Sequence, residues 1–248
     1  MRSVRLTACA PRPAVRQMWI DDTVLVRCAE DLTVSVWVPD HVLVVCGAAN
    51  DPDREVVLSA CAANNVPVVK RYGGGGTVVL SPDCVVVSVG TWVRDPFQNH
   101  RYFTLLNQAL IDALAAAWPI FADLTQAGVS DVVHGERKVV GTSLFRSRNY
   151  ILYQASLIVT PAFELLARYL KHPSREPEYR RGRAHRDFVT GLAAIAEAAT
   201  AAEVAEKLQL HLPTKLTDRL RSERVAPQAE QQENLLARAR AGRATGDK

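Results

Sequence analysis

The feature that most restricts this chain is a run of four glycines, Gly73 to Gly76. It lies between two valine-rich stretches in Lys70-Arg71-Tyr72-Gly73-Gly74-Gly75-Gly76-Thr77-Val78-Val79. With no Cβ over that span, the backbone can take φ > 0, approach a ligand closely and turn its N–H groups on an anion. A plain hairpin turn needs only one or two glycines, and four cost extra conformational entropy on folding. Arg71, just before the run, carries a guanidinium suited to a phosphate. The loop is followed by Thr-Val-Val-Leu, a strand. It is therefore neither a Walker A loop, which ends in G-K-[ST], nor a dinucleotide loop that opens a helix.

The surrounding pattern predicts an α+β fold, with mixed and antiparallel sheets flanked by helices. Strands are expected at 32–38, 42–46, 66–70, 77–80, 85–89 and 150–160, where valines cluster between Pro, Gly, Asn and Asp. Helices are expected at 17–29, 53–64, 103–117 and 161–170, and again from about Phe188 and near Glu203. Residues 131–135 and 137–142 read as a hairpin turning at His134-Gly135-Glu136. A main domain over 1–210 is expected, followed by a helical segment and flexible tail over 211–248. The stretch from Ala226 is rich in Gln, Ala, Arg and Glu and reads as a frayed helix or a disordered tail.

Composition removes several function classes. The apolar runs are broken well short of the roughly 18 residues of a membrane span. The first residues carry charge but no apolar signal core, so a cytoplasmic protein is expected. Five scattered cysteines without a C-x-x-C pair indicate reduced thiols. The six histidines have no zinc-site spacing, so no metal site is predicted. The net charge of +4 is mild. The most basic stretch, 177–186, has little aromatic surface for bases to stack on, which argues against nucleic acid. It reads as a solvated loop or a docking face for an acidic protein.

Only six of the thirty basic residues are lysines. One of them, Lys138, sits in the predicted hairpin, three residues before Gly141. A lysine is a compact point charge with three donors, unlike the arginine fork. A hairpin lysine can simply be solvated; anchored on a strand, it could instead neutralise charge developing at a phosphorus or carbonyl centre.

Taken together, these motifs resemble the biotin/lipoate protein ligase superfamily, and specifically lipoate–protein ligase A and its relatives. The stretch corresponding to the family pattern R-R-x-[ST]-G-G-G-[AT]-V is Lys70 through Val78. Its N-D-hydrophobic hairpin with G-x-K-x-x-G-[ST]-A appears here as Ser130-Asp131-Val132 and Glu136 through Ser143. Tyr179-Arg180 through Thr190 is similar to Y-R-x-G-R-S-H-x-D-F-V-T of some members. The resemblance implies ATP-dependent activation of lipoate to lipoyl-AMP, then transfer to a lysine of an acceptor domain. The implied acceptors are lipoyl domains of 2-oxoacid dehydrogenase complexes or the glycine cleavage H protein. Mg2+ would accompany ATP. Lys138 is the implied catalytic residue. The implied adenylate and acyl site comprises Arg71, Gly74, Gly75, Gly76, Thr77, Val78, Val79, Ser130, Asp131, Gly141 and Thr142 beside it.

The sequence departs from the family in places. The G-R-x-Q-N of many members is Gly47-Ala48-Ala49-Asn50 here, without the arginine and glutamine. Gly73 stands for the usual serine or threonine, and Ser130 for asparagine. An accessory domain is not expected within this length, which leaves room for a separate partner subunit. Two rivals share the fold. An octanoyl or lipoyl transferase would need a cysteine near 123–127, where there is none, and a silent homologue would only bind.

Overall fold

The computed structural model describes residues 18–19, 24, 28, 30–173, 176–197 and 199–244. Its strands are β1 (Met18–Trp19), β2 (Leu32–Trp37), β3 (Leu43–Cys46), β4 (Val68–Arg71), β5 (Val78–Leu80), β6 (Cys84–Trp92), β7 (Thr125–Ala127), β8 (Asp131–His134), β9 (Arg137–Ser147) and β10 (Tyr150–Ile158). Its helices are α1 (Pro52–Glu55), α2 (Leu58–Ala63), α3 (Asn99–Ala117), α4 (Phe163–Tyr169), α5 (His185–Phe188), α6 (Ala201–Leu220) and α7 (Ala229–Ala244).

Two sheets face each other. The larger has six strands in the order β2-β6-β10-β9-β8-β7, paired antiparallel throughout. The smaller has the order β1-β4-β3-β5, with β5 alone antiparallel. Period-two alternation sends each strand's residues to different layers. In β6 and β10, Val85, Val87, Val89, Ile151, Tyr153 and Leu157 join the core beneath α3 and α6. On the opposite face, Val86 packs against Leu43, Val45, Val69 and Leu80 of the small sheet. The outer face of that sheet, with Val44, Cys46 and Val68, packs on Tyr169 and the leucines of α2 and α4.

The long helices follow from their stripes. In α3, Tyr102, Leu106, Ala109, Leu110, Ala113 and Leu114 are buried at helical spacing. The helix stops at Trp118, held extended by the following Pro119. Helix α6 opens with a capping box, Thr200 with Glu203. Its Leu208, Leu212, Leu216 and Leu220 continue the stripe through residue 210 into the same core.

Several expected elements differ. The helix expected at 53–64 is two helices, because Val56 bridges Leu170 and Val57 donates its N–H to Tyr169. Most of the helix expected at 17–29 lies outside the described residues, and Met18–Trp19 within it pairs with β4 as a strand. The hairpin turns on Gly135-Glu136, but its second strand runs on to Ser147. The helical stretch expected from Phe188 is reversed there: α5 ends at Phe188 and Val189 is extended. The stretch beyond Ala226 forms α7, which buries Leu235 against Trp92, Tyr150 and Leu152. No described helix is long and apolar enough to cross a membrane.

Because Leu216 is almost fully buried between α6, α3 and the sheet, Leu216→Ala is expected to destabilise the chain by about 2–5 kcal/mol. Urea unfolding of the two proteins measures this.

Candidate active site

The glycine loop is not a hairpin turn. The strands it joins, β4 and β5, lie on either side of β3, so the loop must pass over the end of β3. Gly47, the first residue beyond β3, lets it pass: a Cβ there would come 2.1 Å from the Gly75 carbonyl oxygen. Gly75 itself has φ +91°, which favours glycine. Ala48 donates its N–H to the Gly73 carbonyl at 3.0 Å, and Asn50 donates Nδ2 to Thr77 Oγ1 at 3.2 Å.

Arg71 organises this crossing. Its Nε and Nη2 donate to the Gly74 carbonyl at 3.2 and 2.6 Å, Nη2 to Gly76 at 2.8 Å, and Nη1 to Val45 at 3.3 Å. Four of the five guanidinium N–H groups are thus spent on backbone carbonyls. Burial pulls its pKa down to about 10, still charged at neutral pH. The sequence suggested an arginine that grips phosphate, whereas the guanidinium here holds the loop.

Across the cavity, Lys138 Nζ pairs with Asp131 Oδ1 at 2.8 Å, with the side chains 21% and 13% exposed. Two local features aim the lysine. A bulge at Val139 shifts the β8–β9 register between Val132 and Val133. Gly141 clears space, since a Cβ there would sit 3.0 Å from Lys138 Nζ. Asp131 Oδ2 also accepts the Tyr179 hydroxyl at 2.8 Å. The turn before Asp131 is tied down at the Ser130 carbonyl, which accepts Thr142 Oγ1 at 2.5 Å and Asn107 Nδ2 at 3.2 Å. Asn107 lies buried in the apolar stripe of α3, and its Oδ1 accepts the Tyr153 hydroxyl at 2.7 Å.

Between loop and lysine lies a cavity of about 760 Å3. Arg71, Gly75, Gly76, Thr77, Val78, Val79, Ser130, Asp131, Lys138, Gly141 and Thr142 all line it. Gly74 does not, and serves through its carbonyl. Its lining is mixed, with apolar side chains such as Val45, Leu80, Val86, Ile158, Leu166 and Leu170 beside the charged and polar Lys138, Asp131, Arg180 and His185. Among the described residues, no three His, Cys, Asp or Glu side chains gather as a metal site.

The lipoyl protein ligase A/B catalytic domain model matches residues 14–212. The chain belongs to that family. Among solved structures it is similar to a bi-partite lipoate protein ligase of Thermoplasma acidophilum, described with its E2 lipoyl domain. The identity is 20%, over 88% of this chain and 80% of that one, with a TM-score of 0.64. A lipoate-protein ligase A bound with ATP matches at 20% identity over 88% and 82%, TM-score 0.62. LipL1 of P. falciparum, in complex with lipoate, matches at 17% over 77% and 50%, TM-score 0.58. At these identities the likeness shows the fold. A search of the curated proteins finds no match.

Against this family frame, the segment after α4 is the part that sequence reasoning undervalued. Residues 177–186 are not simply solvated. Arg180 is 5% exposed, stacks 4.9 Å over Phe188, and leaves Nη2 buried without a hydrogen-bond partner. His185 lines the cavity with its pKa lowered, first by burial and then by Arg180, His172 and Lys138. The run Tyr179 to Thr190, similar to a third family stretch, was the available signal. For Asn107 the signal was a polar residue inside an apolar helical stripe.

The two kinds of glycine separate experimentally. Gly47→Ala is expected to cost about 1–3 kcal/mol, because its Cβ meets backbone that cannot yield cheaply. A Cβ on Gly76, which lines the cavity, meets nothing within 4 Å. Gly76→Ala should therefore leave stability within about 0.5 kcal/mol of the parent. Thermal melts of both variants test the contrast.

Proposed function

We propose that this chain is an ATP-dependent lipoate–protein ligase acting in the cytoplasm. It would form lipoyl-AMP and pyrophosphate from lipoate and ATP, then pass the lipoyl group to a lysine ε-amine on an acceptor domain. The observation that carries this reading is the placement of Lys138, a partly buried ammonium paired with Asp131 in a cavity lined by both apolar and polar side chains. An acyl chain would lie along the apolar wall, with its carboxylate at the ammonium and the nucleotide towards the glycine loop, Thr77 and Thr142.

In the first half-reaction the lipoate carboxylate attacks the α-phosphorus, and pyrophosphate leaves. In the second, the acceptor amine attacks the acyl carbonyl, and AMP leaves. Both steps build negative charge on oxygens beside one centre, and a fixed, partly buried cation stabilises it more than water does. The orientation of the two reactants contributes as much. The open space at Gly76 leaves room for the adenylate against the backbone. Mg2+ would ride on the phosphates of ATP, since the described residues offer no cluster of acids to hold it. The ATP-bound and lipoate-bound relatives support this assignment of substrates. The Thermoplasma ligase described with its E2 lipoyl domain supports a lipoyl domain as acceptor, and its bi-partite build supports a separate accessory subunit.

A transferase of the same fold would carry the acyl group on a thiolate. Cys84 lines the cavity, but burial raises its thiol pKa, so it is held protonated and a poor nucleophile.

Pyrophosphate release on mixing the protein with lipoate and ATP tests the ligase reading. Lys138→Ala is expected to lower that rate by about 100-fold or more, with the fold intact. Retained binding of lipoate and ATP without pyrophosphate release, with or without a partner subunit, would sink the enzyme assignment in favour of a silent binding homologue.

A further inference from the structure

The segment 176–183 is built around one residue that has no role in the reading above. Tyr179 sits against Gly128, where a Cβ would come 3.4 Å from its ring. Phe188 lies on it, with ring centroids 5.2 Å apart. The Tyr179 carbonyl accepts Arg183 Nη2 at 2.8 Å, and Arg183 Nη2 also reaches the Glu136 carbonyl at the hairpin turn, at 3.1 Å. Arg180 and Arg183 each donate Nε to the other's carbonyl at 3.0 Å. Arg181 and Gly182, both at positive φ, close this tight turn, and Gly182 donates its N–H to Glu176. The ring is thus fixed before its hydroxyl makes any contact.

That hydroxyl is given to Asp131 Oδ2 at 2.8 Å, while Oδ1 of the same carboxylate takes Lys138 Nζ at 2.8 Å. A carboxylate held at one oxygen only can rotate about its terminal torsion, which is broad, and a lysine stem has four flexible bonds. With both oxygens engaged, neither group has that freedom. Burial and the neighbouring Asp131 charge also raise the Tyr179 pKa, so the hydroxyl remains a donor at neutral and mildly alkaline pH.

We infer that Tyr179 is a positioning residue that acts through Asp131 to set the Lys138 ammonium, in a relay from the 176–183 segment to the reacting centre. The inference rests on the ligase reading for its consequence, but not for the relay itself. A purely structural tyrosine would contribute through its ring alone, and Tyr179→Phe keeps the ring while removing the donor.

The test uses the full chain labelled with 15N-lysine, whose six lysines allow the side-chain ammonium signals to be resolved. Lys138→Arg assigns the Lys138 resonance. The wild-type chain is expected to show that resonance protected from solvent exchange. Tyr179→Phe and Asp131→Asn should each abolish the protection without lowering the melting temperature by more than a few degrees. In turnover, Tyr179→Phe should cut kcat by about tenfold, the scale of one hydrogen bond to a charged group, at unchanged KM for ATP and lipoate. In the Asp131→Asn background it should have no further effect. An unprotected wild-type resonance, protection that survives Tyr179→Phe, or a turnover loss that adds to that of Asp131→Asn would each overturn the relay. Lost protection with unchanged turnover would overturn the positioning role. If the wild-type chain turns over no lipoate with ATP, the ligase reading fails and the resonance alone decides the relay.

Discussion

The buried guanidinium of Arg71 holds together a crossing that the strand order forces on the chain. Because β4 and β5 flank β3, the loop between them must span the end of the central strand with its carbonyls turned inward. Each of those carbonyls needs a donor once it leaves water. One planar fork supplies the loop carbonyls of Gly74 and Gly76 together with that of Val45 in β3, which the point charge of a lysine cannot do. The loop's rigidity, the open space at Gly76 and the near side of the cavity all follow from that arrangement. A glycine-rich segment gains shape here from outside itself, since it has no side chains with which to hold it.

The cavity exists because the inner faces of the two sheets are unequal. The β6 and β10 positions that face the small sheet begin with apolar groups, Val86 and Ile158, and pass to Ser88, Gln154 and Ser156. Small and polar side chains leave a gap that large aliphatic ones would fill. Further along the same face, Tyr72 meets Phe145 with centroids 5.0 Å apart, and α7 lays Leu235 over Tyr150 and Leu152. These contacts close the gap at one end. One β-sheet face thus serves as core at its ends and as site in its middle.

Much of this was legible in the sequence, and the failures have physical causes. Strands β3, β4 and β6 were readable from valine density and turn residues because both of their faces are largely buried. The α3 stripe was readable for the same kind of reason. Helix 53–64 was misjudged because an edge contact, Val56 with Leu170, overrides local propensity, and such a partner lies more than a hundred residues away. For Arg71, residue type and place were legible but not direction, because which carbonyls lie within reach depends on the strand order. For 177–186, a dense basic run reads as solvated unless its partners are known. Those partners, Phe188 for Arg180 and Asp131 for Tyr179, are fixed only by the fold.

The Lys138–Asp131 pair is the point where stability and chemistry part. Both side chains are mostly withdrawn from water, and a pair so placed loses solvation that its mutual attraction roughly returns. Well-packed apolar residues of similar volume would hold the hairpin as firmly. What the chain invests around the pair is therefore hard to explain by folding alone. A bulge re-aims the lysine, Gly141 vacates space for it, and Asn107 and Thr142 anchor the Ser130 carbonyl just ahead of the aspartate. Each device fixes the position of one ammonium, and none enlarges the core. Departures of this kind from local rules cluster where a structure is shaped for a reaction. The absent arginine and glutamine of the stretch Gly47-Ala48-Ala49-Asn50 fall on the loop side, where Ala48 donates its N–H to Gly73, away from these devices.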